Sequence, residues 1–268
     1  MTEPVVSDLA QWQIAVRYQL RAYLRTYRFL VLFALVVAVQ LLGFVVLYHY
    51  VGPAQVASGG DVGGFLSGLF SFLTDFVYLS AALLGGDAIS TDFSGRTGYY
   101  ILPLPIRRRI LLLGRYTAAA ATTLLIAALY IFGATLIAQY FFGTVPVAAL
   151  LESSLLAFLF VGAAMALAFF FSSLVKSPML SILLTVLVLL IALPIVTSIV
   201  ASTAGVAPWF SLEFAGEAIV QPITGVPLAA GTATGPPTIV EAVEIMLGYL
   251  TFFLGGSFVL YEFKEASG

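Results

Sequence analysis

Residues 147–200 read VAALLESSLLAFLFVGAAMALAFFFSSLVKSPMLSILLTVLVLLIALPIVTSIV, two apolar runs joined by a short polar break at 173–177. A bilayer core about 30 Å thick is crossed by roughly 20 apolar residues in a helix, and the runs 147–172 and 178–200 both reach that length. The break leaves room for a turn and nothing larger. Backbone N–H and C=O groups in lipid must be satisfied within their own segment, so the pair is helical. The fold class that follows is all-α, a polytopic membrane protein.

Working outward, further runs appear at 29–48, at 65–86, at 110–132 with an extension to 142, and at 245–261, which makes six expected spans. Composition agrees: of 268 residues, 61% are apolar and 9% charged. Mean hydropathy is +1.08. A soluble domain carries about a quarter of its residues charged, because its surface faces water. The first run exceeds the roughly 7 to 15 residues of a signal core, so a retained span is expected there in preference to a cleaved leader. The long stretch 201–244 is expected to be an external loop, with 209–221 as a short helix on the membrane surface. No internal repeat or second domain is visible, so 1–268 is read as one membrane domain.

A net charge of −2 excludes the clustered basic surplus of a nucleic-acid partner. The chain has no cysteine and His49 is its one histidine, so a disulfide framework, a thiolate nucleophile and the two-histidine zinc motif are all excluded. Val175 precedes Lys176 and Phe263 precedes Lys264, so neither lysine can close a Walker A loop. No catalytic, metal or cofactor residue is expected in this chain.

All 11 basic residues fall on one side of the expected spans. Arg17, Arg21, Arg25 and Arg28 precede the first; Arg96, Arg107, Arg108, Arg109 and Arg115 surround the second connection; Lys176 follows the fourth span and Lys264 the sixth. The other connections hold only acids: Asp61, Glu213, Glu217, Glu241 and Glu244. Cytoplasmic loops retain Lys and Arg, so both termini are expected in the cytoplasm, with 1–28 a cytoplasmic amphipathic helix, 29–263 the membrane region and 264–268 a cytoplasmic tail.

The spacing of Arg17, Arg21, Arg25 and Arg28 places them on one helical face, interleaved with Trp12, Tyr18, Tyr23 and Tyr27. That stripe suits anionic lipid headgroups, or a docked cytoplasmic partner. Asp75 falls near the middle of the second span, where an ionised carboxylate costs a few kcal/mol unless a cavity or partner receives it. It is either a coupling site or an acid packed between helices that Asn could replace. Gly64 and Gly68 form a small-xxx-small pair in the same span. Glu213 and Glu217 share a helical face, which could be solvated or hold a cation. His49, between Tyr48 and Tyr50, suits an aromatic belt.

The second connection reads Gly86-Asp87-Ala88-Ile89-Ser90-Thr91-Asp92-Phe93-Ser94-Gly95-Arg96-Thr97-Gly98-Tyr99-Tyr100-Ile101-Leu102-Pro103-Leu104-Pro105-Ile106-Arg107-Arg108-Arg109, and Ile110 to Arg115 follow. It resembles the permease subunits of ABC-2 type transporters. There an acidic turn follows the second span, then a Gly-Thr element, a leucine-rich stretch ending in Pro, a basic residue, and an aliphatic-Gly-Lys/Arg start to the third span. Asp87, Asp92, Thr97, Leu102, Pro105, Arg108, Gly114 and Arg115 are similar to those positions. Asp92 stands where a Glu-rich pair is usual, and Arg96 where glycine is common.

The resemblance extends to the basic N-terminal helix, the six spans and the long fifth connection. It implies that 87–109 couples this chain to a separate ATP-binding subunit, present twice and carrying ATP and Mg. It implies a second permease copy or a sister permease, export as the direction, and the plasma membrane as location. Asp92 and Arg96 can pair along one helical turn, with Pro103 and Pro105 ending that helix. The competing readings are an ion- or proton-coupled secondary transporter using Asp75, and a membrane scaffold without transport.

Overall fold

The computed structural model of the chain describes residues 7–91, 108–224 and 236–263. Among them every regular element is helical. Six helices are long and apolar enough to cross a membrane: Tyr27–Val51, Val62–Gly85, Arg109–Phe142, Val147–Leu174, Pro178–Thr203 and Ile239–Glu262. These are called the first to sixth spans, and they make the chain a multi-pass membrane protein. The helix Asp8–Arg25 precedes them, with the Ser7 side chain capping Ala10 N–H and Asp8 in its first turn.

The expected single helix over 1–28 is interrupted. Thr26 adopts an extended backbone, ψ 141°, between the N-terminal helix and the first span. Arg28 therefore belongs to the first span and leaves the stripe that Arg17, Arg21 and Arg25 form on the exposed face of the preceding helix.

The sixth span starts at Ile239, well before the expected 245. Its start is a capping box: Thr238 Oγ1 accepts from Glu241 N at 3.2 Å while Glu241 Oε2 accepts from Thr238 N at 2.8 Å. Glu241 and Glu244 lower the local hydropathy, so the apolar run begins at 245 although the Thr-x-x-Glu pattern starts the helix earlier. The fifth span is not a plain α-helix. A π turn at Leu187–Ala192 leads into Pro194, which lacks the N–H needed to continue the ladder, and a second π turn covers Val200–Ala204.

The fourth span is the axis of the bundle, with Ala157, Phe160, Val161 and the unbroken stretch Ala163 to Phe169 buried. The second, third, fifth and sixth spans pack around it, and the first span touches the third at the rim. Alanine and glycine along this axis let the backbones approach closely. Tyr116, for example, reaches across to donate to Gly162 O at 2.8 Å.

The helix ends define two poles. At one, here called the basic pole, lie the N-terminal helix packed beside the start of the third span, the exit of the second span, Lys176 between the fourth and fifth, and the end of the sixth. Arg109 pairs with Glu262 at 2.5 Å across that pole. Both side chains are well exposed, so the pair contributes little. At the opposite pole Phe44, Tyr48, Tyr140, Phe141 and Phe65 form an aromatic cluster, and His49 lies edge-on to Tyr48 with centroids 5.3 Å apart.

The largest departure from expectation concerns 209–221. It does not form a surface helix. Leu212–Gly216, Glu217–Val220 and Gln221–Thr224 are consecutive helical turns inserted into the bundle, with Leu212, Phe214, Ala215, Gly216, Ala218 and Ile219 buried. Ile223 sits against Gly63 at the opposite pole, whereas Gly216 sits against Thr74 and Phe160. Gly63 and Thr74 are about three helical turns apart, roughly 16 Å along the second span. The segment thus descends to mid-depth. A Cβ on Gly63 would lie 2.6 Å from Ile223 O, so glycine is what admits the insert there.

Candidate functional site

Among the described residues two places gather several polar side chains from different elements, and the second span joins them. The first is its exit at the basic pole. Arg28 Nη1 donates to Asp87 Oδ2 at 2.6 Å and to Leu83 O at 3.0 Å. Arg115, buried in the third span, donates to Ala88 O at 3.1 Å. From the fourth span, Ser172 Oγ accepts from Ile89 N at 2.9 Å and Ser90 N at 3.1 Å. From the fifth, Ser181 Oγ donates to Gly86 O. The turn 86–91 is therefore held by the first, third, fourth and fifth spans together.

A cavity of about 300 Å³ lies beside this clasp, lined by Tyr23, Thr26, Arg28, Asp87, Thr91 and Arg115 among others. Burial pushes the Tyr23 phenol up to about 12, against the opposing pull of the Gln19 side chain, so it stays neutral.

Of the residues expected to couple to a partner, Asp87 lies in this clasp. Asp92, Arg96, Thr97, Leu102 and Pro105 fall outside the described residues. Arg108 opens the helix of the third span. The clasping residues Ser172, Ser181 and Arg28 could not have been assigned to the turn from sequence, because each is far along the chain from its partner.

The second place is at mid-depth. Asp75 is not packed between helices of this chain; it is exposed on the face of the second span that also bears Gly64, Gly68 and Ser71. Ser71 Oγ donates to Gly68 O at 2.7 Å and Thr74 Oγ1 to Ser71 O at 3.0 Å, so these hydroxyls serve their own helix. One turn further along, Tyr78 is fully buried, its ring 5.2 Å from that of Phe160.

The inserted segment packs against the other side of this helix, at Gly63 and Thr74. Glu213, expected on a solvated face, is half-buried, and Glu217 is exposed. The Glu213 carboxylate and the Tyr78 hydroxyl face one another. Both Glu213 Oε2 and Tyr78 Oη are buried, and they interact with one another short of full hydrogen-bond geometry.

Two hydrogen bonds fix the segment in place. Tyr249 of the sixth span donates to Phe210 O at 2.8 Å, and Thr197 of the fifth shares a hydrogen with Ser211 at 2.5 Å. Tyr78 follows Asp75 by three residues, and two polar side chains one turn apart in an apolar helix are the sequence signal that could have marked this place.

No protein-family model and no curated protein matches the chain.

Proposed function

We propose that this chain is the permease subunit of an ATP-driven ABC-2 type exporter in the plasma membrane, with both termini in the cytoplasm. It pairs with a second copy or a sister permease, and two separate ATP-binding subunits dock on its basic pole. One observation carries this reading: the second span bears an exposed carboxylate at mid-depth and runs straight into the clasped turn 86–91. A carboxylate facing lipid costs about 2.5 to 3.5 kcal/mol, so the face of Gly64, Gly68, Ser71 and Asp75 belongs against protein or a water-filled path. The same helix then reports at its other end to the segment that resembles the ABC-2 coupling element.

The one-sided arginines support the orientation. Arg17, Arg21, Arg25, Arg28, Arg115 and Lys176 gather at one pole, and the acids Asp61 and Glu241 lie at the other. Closure of the ATPases on binding ATP pushes the 87–109 connection and switches the paired spans between inward-facing and outward-facing states.

Single cysteines test the orientation cleanly in a chain without native cysteine. Those at Asp61 and Thr234 are expected to react with an impermeant thiol reagent from outside, and those at Ser94 and Ser267 are not. External labelling of Ser94 overturns the orientation. The purified chain alone is expected to show no ATP hydrolysis, which appears only on adding a separate ATP-binding subunit. Hydrolysis that follows the isolated chain through purification refutes the division of labour, and transport driven by a proton gradient without any ATPase favours a secondary transporter.

A further inference from the structure

We propose that the cavity at the basic pole, lined by Arg28, Arg115, Tyr23 and Gln19, holds the phosphate headgroup of an anionic phospholipid from the leaflet that this pole faces. Such binding needs neither the ATP-binding subunits nor a direction of transport.

The cavity lies where the spans begin. Arg28 is in the first turn of the first span, Asp87 follows the end of the second at Gly85, and Arg115 is in the second turn of the third. Lipid headgroups lie at that level, just outside the hydrocarbon core of about 30 Å. The extended backbone of Thr26 separates the N-terminal helix from the first span, and the cavity of about 300 Å³ fills the corner they form with the second and third. Drug-sized ligands occupy about 300 to 1,000 Å³, so this volume suits a small group such as a headgroup.

The lining sets the charge of the occupant. Arg28 and Arg115 stand against one described carboxylate, Asp87, which leaves the lining positive. Both hydrogen bonds of Arg28, to Asp87 and to Leu83 O, leave from Nη1. Its Nε and Nη2 make none among the described residues, and that edge of a guanidinium meets a phosphate through two parallel bonds. Arg115 is buried, and its bond to Ala88 O fixes it in the wall. Gln19 and Tyr23, four residues apart on one face of the N-terminal helix, add neutral donors. Leu83 and Leu84 give the cavity an apolar side, which suits the glycerol and first methylenes of a lipid and offers nothing to a soluble phosphate.

The helix that bounds the cavity is itself built to meet lipid. One face is docked on the bundle, where a Cβ on Gly114 would lie 2.7 Å from Ala15 Cβ. The exposed residues of the helix include Ile14, Tyr18 and Leu24 beside Arg17, Arg21 and Arg25. A surface that mixes apolar and basic residues rests at headgroup level and gathers anionic lipid. The arginine stripe concentrates such lipid beside the cavity, which then takes one headgroup. A lipid held there bridges the N-terminal helix to the exit of the second span and the start of the third, and so braces the turn 86–91.

Lipid retained by the purified full chain, delipidated in detergent, is counted by native mass spectrometry during titration with short-chain phosphatidylglycerol or with phosphatidylcholine of equal chain length. About one phosphatidylglycerol per chain is expected, held at least about tenfold more tightly than phosphatidylcholine, a difference of about 1.4 kcal/mol. Glycerol phosphate, which lacks acyl chains, is expected not to displace it at the same concentration. Arg28→Gln removes charge and Ala88→Phe fills the cavity, and each is expected to weaken phosphatidylglycerol about tenfold. These variants are compared only where their melting matches the parent; the contrast between the two lipids in the parent chain decides the matter without them.

Equal retention of the two lipids, or full affinity in a folded Ala88→Phe chain, overturns the proposal. Displacement by glycerol phosphate as readily as by the lipid assigns the cavity to a soluble phosphate compound and removes the phospholipid. Selectivity lost in Arg17→Gln/Arg21→Gln/Arg25→Gln but kept in Arg28→Gln places recognition on the exposed stripe and removes the cavity. No ATPase takes part in this assay, so the permease reading stands or falls separately, on the transport and hydrolysis measurements.

Discussion

Reversing one charge in the clasp, Arg28→Glu, is expected to lower ATP-driven transport by the assembled complex about tenfold or more, and the double variant Arg28→Glu/Asp87→Arg is expected to recover most of it. Arg28 touches Asp87 at 2.6 Å, with 39% of the arginine side chain and 13% of the aspartate exposed. With one partner that open to solvent, the pair itself contributes only about 1 kcal/mol to stability. The variant, however, sets Glu against a mostly buried carboxylate and also removes the donor to Leu83 O, so the end of the second span loosens from the first.

The loss is therefore local. The six apolar helices stay inserted, while the turn 86–91 no longer moves with the spans that hold it. Transport and melting are measured on the same preparations. Full transport in the single reversal, or a folded double variant that recovers nothing, shows that this contact does not carry the coupling.

Bulk added at two glycines of the same helix is expected to have opposite consequences. A Cβ on Gly85 would lie 2.5 Å from Met165 Sδ and 3.1 Å from Ala168 Cβ, against the axial fourth span. Gly85→Leu overpacks that contact and is expected to destabilise the chain by about 1 to 3 kcal/mol or more, seen as lost membrane yield and a lower melting temperature.

Gly68, on the exposed face with Asp75, has nothing within 4 Å of an added Cβ. Gly68→Leu is expected to leave the monomer's melting unchanged while disrupting its pairing with a second copy, read as a shift toward monomer in crosslinking and a fall in transport. If Gly68→Leu pairs and transports normally, that face is not the pairing surface. If Gly85→Leu melts like the parent, the second and fourth spans are less tightly apposed than described.

The scaffold is legible from the chain alone. Runs such as 147–172 and 178–200 have no partner but lipid or one another, so their length and composition fix them as spans without reference to the rest of the chain. The one-sided placement of Lys and Arg was equally legible, since it depends on counting along the chain. The Thr-x-x-Glu capping box at Thr238 to Glu241 is equally local, although its polar residues lie outside the apolar run that marks the span.

Where the few polar groups meet depends on packing between distant parts of the chain. The insert at 212–224 is too short to cross a bilayer and contains Glu213 and Glu217, so its pattern reads as a surface turn. It goes inside because Gly63 and Gly216 leave space at contacts the chain makes only when folded, and because Thr197 and Tyr249, from two other spans, hold Ser211 and Phe210 at depth. Arg28 likewise seeks Asp87 across the bundle, and Asp75 turns outward while Tyr78, one turn on, turns inward. Hydropathy records how each residue prefers its solvent, whereas these positions depend on which distant surfaces are brought together, and that is settled by packing.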